Sequence, residues 1–140
     1  MTPSVEKPLP TITPLNAPFW RAARQGELRL QQCCQCRHIR YPISEVCPEC
    51  LSEESEWARL SGRGTVFSFV TFHQVYHPAY RDEVPYNVSI IQLDEGPRMI
   101  SNVVDIAVDQ VAIGQKVEVC FDPVSDTVAL PRFRPPGERT

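Results

Sequence analysis

Two stretches, Gln32-Cys33-Cys34-Gln35-Cys36-Arg37 and Val46-Cys47-Pro48-Glu49-Cys50-Leu51, decide how this 140-residue chain is read. Each holds a Cys-x-x-Cys pair, and only residues 37–46 separate the two pairs. Thiolates at that spacing curl around one ion, because the turn between them aims both sulfurs and several backbone N–H groups at a common centre. Cys33, Cys36, Cys47 and Cys50 are therefore expected to be metal ligands, with Zn²⁺ the favoured occupant of a closed four-sulfur site. Rubredoxin-type iron takes the same ligand set, and two disulfides are the bland alternative. Against disulfides, residues 1–14 are polar and proline-rich and lack the apolar run of a secretory signal, so a reducing cytoplasm is expected. No segment has the apolar length of a membrane span.

Cys34 reads as a spare thiol inside the first knuckle, and Cys120 as a small apolar strand residue. Of the three histidines, His38 is expected near the knuckle, His73 in a strand and His77 in a loop. No local motif pairs one of them with an activated cysteine or serine, so no catalytic residue is assigned.

Upstream of the cysteines, a short helix is expected from Ala17 to Gln25, capped by Asn16, with Pro18 in its first turn and Gly26 as its stop. Phe19, Trp20 and Ala23 give it an apolar face. Glu27 to Gln32 alternates, with Leu28 and Leu30 on one side, and reads as a strand entering the first knuckle. Beyond Cys50, the segment Ser55 to Leu60 precedes the turn Ser61-Gly62-Arg63-Gly64.

From Thr65 onward the pattern is all-β. Five strands are predicted, at Thr65 to Tyr76, Tyr86 to Leu93, Arg98 to Val104, Val117 to Phe121 and Thr127 to Leu130. Asp94-Glu95-Gly96-Pro97, Ile113-Gly114-Gln115 and Asp122 to Asp126 are connections, and Asp105 to Val111 a helical turn. A long first strand apolar on both faces (Val66, Phe67, Phe69, Val70, Phe72), with a crossover before the fourth, suits a five-stranded OB barrel, an open two-layer sheet being the alternative. The final run, Pro131 to Pro136, is expected to lie across a surface or dangle, since proline cannot continue a central strand. The fold class is thus mainly β: a short N-terminal helix, a four-cysteine zinc ribbon and an OB-fold barrel. The expected divisions are 1–26, 27–60 and 61–140.

OB barrels often bind single-stranded nucleic acid through basic grooves. The formal net charge here is −3, and a dication on four thiolates adds roughly −2 more, which argues against that class of partner. Arg132 and Arg134 around Phe133 form a short tail rather than a groove.

Across nearly its whole length the chain resembles the DUF35 family. The resemblance is carried by Phe19-Trp20 before Gly26-Glu27-Leu28, the two cysteine pairs, Trp57 followed by Ser61 to Val66, and Val84-Pro85-Tyr86. It continues through Leu93 to Arg98, Ile113 to Val117 and Pro131 to Pro135. Arg37 stands where many members have glycine, and Cys34 is also unusual. The resemblance implies a rubredoxin-like zinc ribbon joined to an OB fold, with a structural zinc. It further implies an accessory subunit, in a hetero-oligomer with a thiolase-like protein that supplies the catalytic groups and makes or breaks carbon–carbon bonds in acyl-CoA thioesters. A bulky aromatic or steroid acyl group fits that expectation, as in benzoylsuccinyl-CoA thiolase or the steroid side-chain aldolase. A free-standing acyl-CoA binder and an OB-type nucleic-acid binder are the alternatives.

The loop from Tyr76 to Tyr86 concentrates three tyrosines and two prolines, side chains that supply contact area at low entropic cost. Tyr76, Tyr80, Arg81 and Tyr86 are therefore candidates for acyl-CoA or partner contact, Tyr76 and Tyr86 serving equally well as core residues at strand ends. Arg63, set between two glycines, either reaches a phosphate or is a solvated charge beside a turn.

Overall fold

The computed structural model describes residues 10–72 and 86–136. Helix α1 (Ala17–Arg24) buries Phe19, Ala22 and Ala23, and sets the half-buried Trp20 edge-on against Phe19, ring centroids 4.8 Å apart. Its end is a Schellman motif: Glu27 N–H donates to Ala22 O and Gly26 N–H to Ala23 O, with Gly26 at φ 79°. Asn16 does occupy the N-cap, but its side chain does not cap the helix. Oδ1 accepts from Thr13 N–H and Nδ2 donates to Thr11 O, so the amide serves the preceding turn instead.

Strands β1 (Arg29–Cys33), β2 (Ile39–Arg40) and β3 (Ser55–Arg59) form a three-stranded antiparallel sheet in the order β2-β1-β3. Strand β1 has two faces of opposite chemistry. Leu28 and Leu30 turn into the apolar core shared with Phe19, Leu60 and the barrel, while Gln31 and Cys33 are buried on the other face.

The second sheet comprises β4 (Arg63–Phe72), β5 (Tyr86–Leu93), β6 (Arg98–Ser101), β7 (Lys116–Pro123) and β8 (Ala129–Arg134), ordered β6-β5-β4-β7-β8. Past β6 the chain closes the barrel by running parallel to β8. Val103 bridges Phe133, Phe133 N–H donates to Asn102 O, and Val104 N–H donates to Phe133 O. This parallel contact between the third and fifth strands completes an OB topology. Val66, Ile91, Leu93, Met99, Val117 and Phe133 fill the interior, each at most 2% exposed. A short 3₁₀ turn (Val108–Gln110) lies in the crossover before β7, as its sequence suggests.

One sequence expectation is corrected here. The run from Pro131 neither dangles nor lies over the outside: it continues β8, pairing Pro131 with Phe121 and Arg132 with Cys120. The missing proline N–H is tolerated because β8 sits at the barrel seam, where pairing is incomplete, and the Pro131 carbonyl is satisfied by the Ser101 hydroxyl. Strand β4 carries apolar side chains on both faces, as its sequence suggests, but does not bury them all. Phe67 and Val70 are 46% and 54% exposed, and the register shifts between Val66 and Ser68, where a β-bulge turns the Phe67 ring outward under the Arg98 guanidinium, 3.8 Å from the ring centroid.

Candidate metal centre and barrel seam

The two cysteine pairs fold as near-copies of one another. In the first, Cys33 N–H donates to His38 O and Arg37 N–H to Cys33 O; in the second, Cys47 N–H donates to Ser52 O and Leu51 N–H to Cys47 O. Arg37 and Leu51 occupy equivalent positions at φ 67° and 65°. Glycine is favoured in that left-handed conformation, which explains why an arginine after the first knuckle stands out in the sequence. Both knuckles accept the strain because each turn must reverse within four residues to return its sulfurs to one point.

The result is a cluster of four Sγ atoms, Cys33, Cys36, Cys47 and Cys50, all within 4.8 Å of one another. Cys33 lies 3.5 Å from Cys50 and Cys36 lies 3.5 Å from Cys47. Sulfurs about 2.3 Å from a shared ion in tetrahedral array stand at about this separation, so the donor set fits one tetrahedral ion. The Gln35 and Cys36 N–H groups point at Cys33 Sγ at 3.4 and 3.5 Å, the outer hydrogen bonds expected of a thiolate ligand. Cys33 and Cys47 are fully buried, whereas Cys36 and Cys50 are exposed.

The four thiols do not hold protons alike. The Cys36 N–H, with further help from Gln35 N–H and the neighbouring sulfurs, brings Cys33 down to about 6 despite its burial. Cys36 is pushed up to about 12: the backbone at His38 favours its thiolate, but desolvation and the adjoining sulfurs outweigh it. Cys47 moves down and Cys50 up, Cys47 through backbone N–H groups that overcome burial, Cys50 through Cys33 and desolvation against the Ser52 N–H. In each knuckle one thiol is thus shifted down and the other up.

His38 contributes its carbonyl, and Cys34 is exposed with its N–H bonded to Glu54 O. Cys120 lies half-buried in β7, where burial pushes its thiol up, the opposite of what a nucleophile needs.

Arg63 and Tyr86 mark opposite ends of the β4–β5 pair, since Gly64 pairs with Leu93 and Phe72 with Tyr86. At about 3.3 Å per residue they stand roughly 27 Å apart. Arg63 is exposed, and its flanking glycines answer to packing: a Cβ on Gly62 would overlap Val119 Cγ1, and one on Gly64 would meet Gln92 O at 2.7 Å. Tyr86 is half-buried and stacks on Phe72, centroids 5.3 Å apart at 22°. Tyr76, Tyr80 and Arg81, with His73 and His77, lie outside the described residues.

A seam of polar groups was not among the sites named from the sequence. Arg132 donates from Nε to Asp122 and from Nη1 to Asn102, Asn102 donates to Asn87 O, and Asn87 exchanges two bonds with the Val103 backbone while accepting from Ser89. Two cavities flank this seam. One, about 430 Å³, lies between α1, the Tyr41-Pro42-Ile43 loop and the β6–β8 junction; the other, about 750 Å³, is walled by Tyr86, Val88, Val103 and Ile106. They share Ile100, Ser101, Asn102, Leu130 and Arg132. Only the alternation in β5, with Asn87 and Ser89 at inward positions, hints at the polar seam in the sequence.

Ribbon, sulfur cluster and barrel define a class of protein, a rubredoxin-like zinc-ribbon fold fused to an OB fold. Residues 20–56 match the family model for the ChsH2 rubredoxin-like zinc ribbon domain, and residues 57–122 that for the ChsH2 C-terminal OB-fold domain. A DUF35 domain-containing scaffold protein of Methanothermobacter thermautotrophicus is 33% identical over 109 residues, spanning 76% of this chain and 81% of that protein. The chain belongs to the DUF35/ChsH2 family. A probable enoyl-CoA hydratase alpha subunit of Thermomonospora curvata is 36% identical over 133 residues, 95% of this chain, which spans only 41% of that longer relative. Among solved structures, a chain of the Ltp2-ChsH2(DUF35) aldolase superposes with a TM-score of 0.81 at 35% identity, covering 91% of this chain and 98% of that one.

Proposed function

We propose that this chain is a non-catalytic, zinc-bearing subunit of an acyl-CoA enzyme complex, assembled with a thiolase-like catalytic partner that cleaves or forms a carbon–carbon bond. The observation that carries this proposal is the end-to-end match to the DUF35 chain of an aldolase complex. The four-sulfur site agrees with it: Cys33, Cys36, Cys47 and Cys50 would hold a tetrahedral ion with no open position, so zinc would act as a fold-stabilising ion and not as a Lewis acid. Sulfur chemistry favours zinc, and thiols held ready as ligands suit a reducing, cytoplasmic setting.

The role of this chain is then to assemble the complex and to position the thioester, since holding a reactant in place accelerates a reaction without contributing a reacting group. Apolar walls at the barrel seam, with Tyr86 at one end, offer room for a bulky acyl group such as a steroid or aromatic ring system. Arg63, Tyr76, Tyr80, Arg81 and Tyr86 remain the proposed contact residues for acyl-CoA or partner.

The test is reconstitution. Co-expressed with the thiolase-superfamily protein that co-purifies with it from its native cell, the chain is expected to form a stable zinc-containing hetero-oligomer that turns over an acyl-CoA, while the chain alone turns over none. Thiolysis, condensation or aldol cleavage by the purified chain would make it an enzyme in its own right. A bare monomer that binds acyl-CoA without a partner would favour a carrier.

A further inference from the structure

The ribbon hides a charge. Arg40, in β2, is 3% exposed and is the only charged residue in the buried set among the described residues. None of the ion pairs among those residues includes it. Its Nε donates to Gln31 Oε1 at 3.2 Å and Nη2 to Ser44 O at 2.9 Å, while Nη1 is buried with no hydrogen-bond partner. Burying a guanidinium cation without an anion is strongly unfavourable.

The sulfur cluster lies on the same face of the ribbon as this unpaired cation. Arg40 pairs with Gln31 across the β1–β2 ladder, and Cys33 follows Gln31 by two residues on the same buried face. That places Cys33 about 7 Å of strand away. Gln31 Oε1 also accepts Ser44 N–H at 2.9 Å, so Arg40 and Gln31 together tie the segment leading to Cys33 to the segment leading to Cys47. Cys33 and Cys47 are the two fully buried sulfurs. Four thiolates around a divalent ion carry about two negative charges in excess.

We propose that Arg40 is the internal counter-cation and positioning residue of the metal centre, balancing the thiolate charge from the buried side and holding the two knuckles in register. This rests on the zinc reading of the four-sulfur site. It makes a specific demand on metal binding: both the charge and the fork of Arg40 contribute to zinc retention.

Zinc affinity of the full chain would be measured by competition with a chromophoric chelator, with Co²⁺ absorption reporting the ligand set. Arg40→Met is expected to weaken zinc binding by about 10- to 100-fold while the Co²⁺ spectrum stays that of four thiolates. Arg40→Lys, which keeps the charge but not the fork, is expected to recover a good part of the loss, and the exposed Arg37→Met to change affinity by no more than about twofold. In a Cys50→His background, where the centre is one charge less negative, the Arg40→Met penalty is expected to shrink. Unchanged affinity in Arg40→Met, Arg40→Lys as weak as Arg40→Met, or a full penalty in the Cys50→His background would each overturn the proposal. Should Arg40→Met fail to fold in excess zinc, Arg40→Lys still decides, since it keeps the charge: it should fold and bind zinc more weakly than the parent, by about 10-fold or less, and parent-like affinity refutes the role. A parent that binds no zinc removes the metal reading and this inference with it, whereas tight zinc binding indifferent to Arg40→Met removes this inference alone.

Discussion

The ribbon and the barrel reach stability by different means. Barrel strands β4 to β8 enclose an interior of Val66, Ile91, Leu93, Met99, Val117 and Phe133, closed at the seam by hydrogen bonds between β8 and the chain after β6. The ribbon has only one apolar face, Leu28 and Leu30, and that face belongs to the core it shares with the barrel. Its other face carries Gln31, Arg40 and the buried sulfurs, groups that cost free energy to bury unless something binds them. The contrast teaches that the barrel is held by area removed from water, whereas the ribbon would depend on the proposed ion at its sulfur cluster, and the two should fail under different insults.

Metal removal should give the largest effect. Chelation, or Cys47→Ser, is expected to unfold the ribbon while the barrel strands persist, because binding free energy at such sites is folding free energy, about 10–16 kcal/mol in small zinc modules. Hydrogen exchange would show protection lost in β1 to β3 and kept in β5 and β7. Retention of metal and ribbon protection in Cys47→Ser would dissolve the contrast. Acid should act on the same side. Cys36 and Cys50 are the thiols pushed up, so they are the main protons displaced on metal binding, and apparent affinity should rise with pH through the neutral range. Calorimetry in buffers of different ionisation enthalpy would count the released protons.

On the barrel side, Phe133→Ala is expected to cost about 3–5 kcal/mol by leaving a cavity at the closing seam. Urea unfolding should register that loss with zinc content unchanged. Gly64→Ala should cost about 1–3 kcal/mol, since its Cβ would press on the Gln92 carbonyl. The smallest effect is a gain: Leu51→Gly, at an exposed left-handed position, should stabilise the loaded ribbon by about 1 kcal/mol and slow zinc release.

Most of the ribbon and most strand positions were legible in the chain. Cysteine spacing named the four sulfurs because metal knuckles are local, and β5 was visible from Tyr86 to Leu93 because one face of it is buried and alternates. What failed to show has a common cause. Pro131 reads locally as a strand breaker, yet β8 runs through it because the seam leaves its missing N–H unneeded. The apolar run of β4 does not say which of its side chains are buried, and a bulge and the outer face of the strand put Phe67 and Val70 in contact with solvent. Arg40 looks like any surface arginine between Ile39 and Tyr41, and nothing nearby in sequence announces its burial.

The sequence by itself determined the four-cysteine cluster, the class of fold and the family, since these rest on short-range spacing, strand alternation and turn residues that each act within a few positions. Only the tertiary structure decided that the tail closes the barrel, that Asn87, Asn102 and Arg132 form one polar seam, and that Arg40 is buried on the sulfur side of the ribbon. Each of those depends on which distant strands meet, and burial, unlike spacing, is a property of what the rest of the chain brings to a residue.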